Sequence, residues 1–407
     1  HRKLDLQTRQ LPSRISNTQT TSLHCLIHIE TDAMKKYIYL LCLPSLLIAS
    51  GCVEKINFDY GNTDTQNYVV EASLNDYDPE FIVKVSQTSP AGEMKQLPVA
   101  NCEVVIEDKL GHVATAYELG LGQYRGAATV LNQDPSSEFR LLVQTPDGKS
   151  IVSDWEKIPQ SPQIQPAYYT VQNGTAPQVT FHIDYAGSST DTKFVKFETS
   201  ETWEYDMPYA IQNYYDGRMH ELDSPDSHLK HCWQTTTQND IRILSTMGLT
   251  GNNYKKFDII TANAKTPRFT VLYSLEVTQK GISESEYYFW KKIRENNATE
   301  GGLYTKQPNN IDGNLRIEGK NPQKVMGYFS VYSLKRKRFF FQTIEKLTPF
   351  RYSDCEIPID KFSDFDKEEY PIVYITNIPN YIQIQKPCYD CTLWGGSLYK
   401  PNFWPTK

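Results

Sequence analysis

Short runs of alternating hydrophobic and polar residues follow one another from residue 67 to about residue 158. In one of them, Cys102, Val104 and Ile106 fall on one side of an extended chain while glutamates fall on the other. Glycine, proline and aspartate separate the runs, which is typical of a β-sandwich. The pattern predicts strands at residues 68–74, 81–87, 102–108, 113–119, 123–127, 139–144 and 150–158.

Three prolines stand between residues 159 and 166, where neither a helix nor a central strand continues easily. We therefore place a domain boundary there, with a first domain at residues 67–160 and a second at residues 167–407. The second domain has predicted strands at residues 178–185, 193–205, 233–237, 241–244, 257–262, 268–279, 324–332 and 338–343.

One segment of the second domain has helical rather than alternating periodicity. Ser283 and Glu286 have the spacing of a capping box, and Phe289, Trp290 and Ile293 recur on one helical face, so we predict a helix at residues 284–296. We expect the Trp290 face to pack in the core rather than to bind a ligand. The predicted fold class is all-β, with two β-sandwich-like domains in tandem and one α-helix inserted in the second.

A different pattern precedes these domains. Residues 34–51 form an export signal, with Met34 and two lysines, an apolar stretch at residues 37–48, and three small residues directly before Cys52. The apolar stretch is shorter than the roughly 20 residues that span a bilayer. The small residues before Cys52 resemble a bacterial lipobox, so we expect acyl chains such as palmitate to anchor Cys52 in a membrane.

The export signal at residues 34–51, or leader, separates two other segments of the amino-terminal region. We expect residues 1–33 to be a non-native upstream extension, because an export signal lies at or near the true start of a protein. Residues 52–66 would link the anchor to the first strand. Without residues 1–51 the chain keeps 36 basic and 45 acidic residues, a net charge of −9 instead of −6. This acidic balance argues against a nucleic-acid partner.

Export also determines the expected cysteine chemistry. In an oxidising compartment Cys232, Cys355, Cys388 and Cys391 are disulfide candidates, and four cysteines allow three pairings. We favour distant partners for both Cys388 and Cys391, which would clamp the carboxy-terminal tail to the domain. Cys388 and Cys391 have C-x-x-C spacing, but the helix that should follow a redox-active pair is missing. A zinc site with His228 and His231 would need a second cysteine pair, which the sequence lacks. No metal and no cofactor are therefore predicted.

No catalytic motif is present. The sequence contains neither H-E-x-x-H nor G-x-S-x-G, and its carboxylates show no acid and base pattern. The glycines at residues 120–126 lie between two predicted strands and predict a turn, not a nucleotide loop. The basic run at residues 335–338 predicts a solvated hairpin turn between two strands. We therefore predict that the protein is not an enzyme.

Aromatic residues cluster with turn residues in one segment. Such a cluster suits a loop that binds a glycan, a peptide or another small ligand, although the same rings could simply pack a β-rich domain. The candidate ligand-binding residues are Trp203, Tyr205, Tyr209, Tyr214 and Tyr215.

Several segments together resemble one family, the Bacteroidota lipoproteins grouped as domain of unknown function 4249. The matching segments are residues 68–72, 98–104, 122–124, 273–275, 288–290, 307–314 and 327–330, and in the tail residues 388–392, 395–396 and 401–404. The resemblance implies an outer-membrane lipoprotein whose first domain is a carboxypeptidase-regulatory-like β-sandwich. Cys102 stands where such sandwiches have a small core residue such as alanine, which suggests a buried free thiol.

The same resemblance implies a role and a partner. We expect a non-enzymatic binding or accessory component of the outer membrane, on the cell surface rather than the periplasmic face, beside a TonB-dependent nutrient transporter. The alternatives are a surface hydrolase of polysaccharide or peptide, which would have a pocket with a paired acid and base, and a structural or adhesive surface protein, which would have a broad apolar patch.

Overall fold

A computed structural model describes residues 67–89, 96–132, 134, 136–298, 311–319, 323–377 and 379–406. These residues form an all-β fold with a single α-helix, as the sequence predicts. The predicted leader, the linker and the lipidation site Cys52 lie outside the described residues. None of the helical structure in the described ranges has the length and apolar character that a membrane span requires.

Strands account for most of the regular structure. The first nine are β1 (Tyr68–Asn75), β2 (Glu80–Gln87), β3 (Leu97–Pro98), β4 (Glu103–Asp108), β5 (Val113–Gly120), β6 (Gln123–Ala127), β7 (Glu138–Gln144), β8 (Ser150–Ser153) and β9 (Glu156–Lys157). Residues 158–167, which include the proline-rich segment, contain neither helix nor strand. The next strands are β10 (Tyr168–Gln172), β11 (Gln178–Ala186), β12 (Phe194–Asp206), β13 (Ile211–Tyr215), β14 (Met219–Asp226), β15 (His231–Thr237), β16 (Arg242–Ser245), β17 (Asn253–Asn263) and β18 (Leu272–Gly281).

The helix α1 (Glu284–Ala298) follows β18 directly. After it come β19 (Leu315–Ile317), β20 (Gln323–Lys324), β21 (Met326–Phe341), β22 (Glu356–Ile359), β23 (Ile372–Asn377) and β24 (Asn380–Ile384). The predicted helix is therefore confirmed, as are six predicted strands of the first domain to within a few residues at their ends, whereas the strand predicted at residues 150–158 is divided into β8 and β9. The predicted turn is confirmed only at residues 121–122, because β5 ends at Gly120 and residues 123–126 already lie in β6.

In the described part of the chain the largest sheet contains 16 strands, and its main path is β15-β12-β18-β21-β1-β2-β6-β5-β4-β7-β8-β19-β20. The strands β1 and β21 pair in parallel, from Val69 opposite Met326 to Asn75 opposite Tyr332. This pairing places strands from both predicted domains in one sheet. Whether the two domains are separate folding units stays a prediction.

Two hydrophobic cores lie against this sheet. The first is formed by β1, β2, β4 and β7 together with Phe329 and Val331 of β21. The second lies between β12, β18 and the three-stranded sheet β10-β11-β17, where the rings of Phe181 and Tyr273 stack with their centroids 5.0 Å apart. A further sheet, β14-β13-β23-β24-β22, has its own small aromatic clusters.

The predicted hairpin turn at residues 335–338 is wrong. These four basic residues lie inside β21 and pair with residues 276–279 of β18. Arg338 Nη2 donates to Glu276 Oε2 at 2.6 Å, and Lys335 Nζ lies 3.2 Å from Asp76 Oδ2. Two of the four positive charges are thus paired with carboxylates, while Arg336 and Lys337 lie over the rings of Tyr77 and Phe339. These contacts let the strand continue through a run that looks like a loop in the sequence.

The capping box of α1 is only half formed. The backbone N–H of Glu286 donates to Ser283 Oγ at 3.3 Å, so Ser283 caps the helix as predicted. The Glu286 side chain, however, turns inward and accepts hydrogen bonds from Trp290 and Ser330. The prediction that this carboxylate caps the helix was wrong because a buried pair of donors binds it instead.

The cysteines pair as the sequence favoured. Cys232 is bonded to Cys391 and Cys355 to Cys388, so both tail cysteines have distant partners. Cys102 is buried and free. Burial raises the pKa of its thiol, so the group behaves as a core residue and not as a nucleophile.

Candidate binding cavity

Helix α1 covers the face of the large sheet that is turned away from the first core. Residues of β21 alternate, so Phe329 and Val331 enter that core while Tyr328, Ser330 and Tyr332 line the opposite side. One face of the helix is formed by Glu286 and by the residues three, four and seven positions after it, which are Phe289, Trp290 and Ile293. A cavity of about 580 Å³ separates this helix face from the sheet.

Lys196 and Lys280 line the charged side of the cavity, and both are paired with Glu198, which lies next to them. Glu198 Oε1 lies 3.2 Å from Lys196 Nζ and 2.7 Å from Lys280 Nζ, so one carboxylate holds both ammonium groups. Lys196 Nζ is 3.5 Å from the centre of the Trp290 ring, and Lys280 Nζ is 4.9 Å from that of Tyr332. The lysine side chains are only 13% and 19% exposed.

The cluster perturbs the pKa of each charged member. Burial and the neighbouring charge of Lys280 lower the pKa of Lys196, although Glu198 acts against them. For Lys280, burial alone would lower the pKa, but Tyr332 and Glu198 outweigh it and the pKa is raised. Burial likewise opposes ionisation of Glu198, but the two lysines outweigh it and lower its pKa. The cluster therefore couples two lysines to the single carboxyl group of Glu198.

Glu286 forms the other polar side. Its side chain is 2% exposed, and its Oε1 accepts from Trp290 Nε1 at 3.0 Å and from Ser330 Oγ at 2.5 Å. Among the described residues its Oε2 has no hydrogen-bond partner. Burial raises the pKa of this carboxyl, despite the two donors and Lys196. When this carboxyl is protonated, its unpartnered oxygen can donate a hydrogen bond to a ligand.

A second buried carboxyl supports the cavity from behind. Glu156 Oε1 accepts from Asn314 Nδ2 and from the Tyr328 hydroxyl, each at 3.0 Å. Burial raises the pKa of Glu156 as well. The Tyr328 ring also contacts Phe289 of α1, with their centroids 5.0 Å apart. Glu156 therefore fixes the tyrosine on which the helix rests.

The five aromatic residues nominated from the sequence do not form a single loop. Trp203 and Tyr205 lie in β12 with buried rings, and the Tyr205 hydroxyl donates to the Cys391 carbonyl at 2.8 Å. The prediction of a ligand-binding loop is wrong for these two, because alternation along a strand places them in the core. Tyr209 hydrogen-bonds to Glu356, and Tyr214 and Tyr215 lie in β13 of the five-stranded sheet.

The histidines considered for zinc are engaged with carboxylates. His231 Nε2 lies 2.9 Å from Glu204 Oε1, and its Nδ1 lies 2.5 Å from Asp206 Oδ1. His228 Nδ1 lies 2.6 Å from Asp226 Oδ1. Within the ranges that the structure describes, no three histidine, cysteine or acidic side chains gather as a metal site would require.

The fold and this cavity define an all-β protein with a small-molecule-sized cavity between a helix and a sheet. Residues 53–338 match the family described as domain of unknown function, DUF4249, and the chain belongs to that family. A search of curated proteins finds no match. The tail beyond residue 338 lies outside the matched range, so its resemblance to the family stays a prediction.

One feature of the sequence points to this site. Glu286 interrupts an otherwise apolar helix face, and a carboxyl on such a face must be either paired or neutral. Trp290 does pack against the cluster of Phe194 and Tyr332, as predicted for a core residue, but it also lines the cavity. Lys196, Glu198 and Lys280 were missed because charged residues that alternate along a strand look like a solvated face.

Proposed function

We propose that this protein is a lipid-anchored, non-enzymatic binding or accessory component of a bacterial outer membrane, which holds a small ligand in the cavity beneath α1. The observation that carries the proposal is the buried, unpartnered Oε2 of Glu286 in a cavity that also contains two ammonium groups. Binding sites combine mostly apolar walls with a few convergent polar groups of this kind. Its volume of about 580 Å³ lies in the usual range for small-molecule sites.

The proposed location rests on the leader. The export signal, its end at Cys52 and the lipoprotein resemblance support anchoring in the outer membrane, on the cell surface. The same resemblance supports a TonB-dependent nutrient transporter as the partner. In this arrangement the protein would capture a ligand beside the transporter and release it to the transport channel.

A surface hydrolase is the second candidate, and one observation favours it. Glu286 lines the cavity and Glu198 pairs with its two lysines, and their pKa values are shifted in opposite directions, as in an acid and base pair. Glu198 Oε1, however, is bonded to both Lys196 and Lys280, which makes it a poor base. The contacts therefore fit ligand binding better than bond cleavage.

Purification from native membranes tests the proposal. The wild-type chain should incorporate labelled palmitate and co-purify with an outer-membrane transporter, whereas Cys52→Ser should lose the label. Ser73→Phe, which fills the cavity from β1, should keep the lipid and the transporter but lose any co-purifying small molecule that native mass spectrometry detects in the wild type. A mature chain without lipid, or a wild-type chain that hydrolyses glycans or peptides, would contradict the proposal.

A further inference from the structure

The geometry points to a small monocarboxylic acid with an apolar body as the ligand of this cavity. Its carboxylate would lie between Lys196, Lys280 and Glu286, and its apolar body against Phe289 and Ile293 of α1. This inference rests on the proposed function, because it specifies the chemistry of the molecule that the same cavity would bind.

Charge balance supports an anion. Lys196 and Lys280 share the single carboxylate of Glu198, so their combined charge is only half neutralised. Each ammonium group has three donors, and each uses only part of them on Glu198. Because the lysine side chains are mostly shielded from water, an anion placed between them is attracted more strongly than at an open surface.

Charges at the rim do not change this balance. Glu71 of β1 and Lys84 of β2 line the cavity mouth and face each other across the β1–β2 pair. Both side chains are exposed. Their opposite charges cancel locally and are screened by solvent.

Glu286 selects a carboxylate in particular. A neutral carboxylic acid donates one hydrogen bond from the oxygen that carries its proton, and an ionised carboxylate is a strong acceptor for it. The unpartnered Oε2 therefore fits a ligand oxygen that accepts. A cationic ligand would instead be repelled by both lysines, and an apolar ligand would leave Oε2 without a partner.

The remaining walls fit a hydrocarbon body. Phe289, Trp290 and Ile293 come from the helix, while Ile82 and Met326 come from the sheet. These groups give no further buried charge that would neutralise a second anionic group. We therefore expect a monoacid and not a diacid.

Calorimetric titration of the intact chain in detergent, with empty micelles as the blank, tests this inference. The probes are 3-phenylpropionate, 3-phenylpropanol and 3-phenylpropylamine, which share an apolar body and differ in the polar group. We expect the acid to bind at least about tenfold more tightly than the alcohol or the amine, since a charge-assisted hydrogen bond contributes about that factor.

Variants separate the contributions of the polar groups. Lys280→Met should weaken the acid about tenfold and leave the alcohol unchanged. Glu286→Leu should weaken the acid comparably, and Glu286→Gln should restore it because its amide can donate from the same position. The matched control is Lys291→Met, which also removes one positive charge. Lys291 lies on α1 outside the cavity, where it pairs with Glu295.

The possible failures are distinguishable. Equal binding of acid and alcohol, both abolished by Ser73→Phe, would overturn the ligand class while leaving a binding cavity. Preference for the amine would also overturn it. If none of the three probes binds, the carboxylic-acid inference is wrong. The proposed function is then tested separately, by whether a small molecule co-purifies with the wild-type chain from native membranes.

Discussion

At the scale of single residues, Glu286 has the contacts that determine what this cavity can do. Its side chain does not accept from the helix-capping residue Ser283, although its position in the sequence suits that role. Instead its Oε1 is fixed by Trp290 and Ser330, and its Oε2 remains available. Burying a carboxyl with an unpartnered oxygen costs stability, and a bound ligand that pairs with this oxygen would recover part of that cost.

Glu286→Gln should change how stability depends on pH. The folded-state pKa of Glu286 is raised by burial, so its contribution is most favourable below the unfolded pKa and is lost as pH rises through the folded value. Burial is the largest cause of this pKa shift and Glu156 adds to it, while Ser330, Trp290 and Lys196 act against it. We therefore expect the variant to be more stable than the wild type at pH 8, by about 1 kcal/mol, with the difference shrinking towards pH 4.

Urea unfolding at a series of pH values measures this difference. Glu284→Gln is the matched control, because it removes a carboxyl from the same helix at an exposed position. The control should follow the pH profile of the wild type. Parallel profiles for Glu286→Gln and the wild type would show that Glu286 does not titrate differently in the folded state.

Gly327 is a second residue whose replacement should strongly destabilise the fold. Its φ is +98°, and a Cβ there would lie 2.0 Å from the Val70 carbonyl oxygen, inside the parallel β1–β21 pair. We expect Gly327→Ala to lower the free energy of unfolding by about 3 kcal/mol. Gly148→Ala, at φ +81° but with open space, should cost only about 1 kcal/mol in the same denaturation experiment. Equal losses would mean that the collision with β1 is relieved.

At the scale of elements, alternation predicted the strands well wherever one face of a sheet is buried. It did not predict β21 as a single strand, because four basic residues in a row resemble a loop, and their partners on β18 are far away in the sequence. It also missed the strands of the five-stranded sheet, where burial is partial and the pattern is weak. Short strands of this kind depend on tertiary contacts that local sequence does not contain.

The cavity was harder to predict than the elements around it. Its charged side comes from β12 and β18, while its apolar side comes from α1, and only the tertiary fold brings them together. The helix and its apolar face could be predicted from spacing, but the direction of Glu286 could not, because the donor Ser330 lies 44 positions further along the chain.

The start of α1 gives a test at this scale. Ser283→Ala removes the side chain that accepts from the Glu286 N–H, and we expect a loss of about 1 kcal/mol. Ser283→Asp keeps an acceptor at the cap and should retain wild-type stability. Hydrogen exchange should show the loss in the first turn of α1 while the amides of β12 stay protected. Faster exchange throughout the sheet would instead indicate global unfolding.

At the scale of the whole molecule, long-range connections hold distant parts of the chain together. The parallel β1–β21 pair joins the beginning of the described chain to its last long strand. The tail is held by Cys391, bonded to Cys232, and by Trp404, whose Nε1 donates to the buried Glu204 at 3.0 Å. The sequence predicted distant disulfide partners but not which of them, because that choice depends on which strands lie beside the tail.

Removing each disulfide should therefore have a different effect. The Cys232–Cys391 bond spans 159 positions and the Cys355–Cys388 bond spans 33. Chain entropy then predicts losses of about 5 and about 4 kcal/mol for the paired serine variants, as upper values. Chemical denaturation measures the difference, and chymotrypsin should cleave after the exposed Tyr399 much faster when Cys391 is released than when Cys355 is. Equal rates of cleavage would show that the tail is held without its disulfide.

The same variants should leave ligand binding intact. Glu198 and Tyr205 lie on one strand, β12, but seven positions of extended chain separate them, which is roughly 23 Å. Tyr205 contacts the tail at Cys391, whereas Glu198 holds the cavity lysines. We therefore expect Cys232→Ser/Cys391→Ser to bind 3-phenylpropionate as the wild type does, under conditions where both are folded. A weakened affinity would mean that the tail and the cavity are coupled through β12, and the cavity could then respond to the redox state of its surroundings.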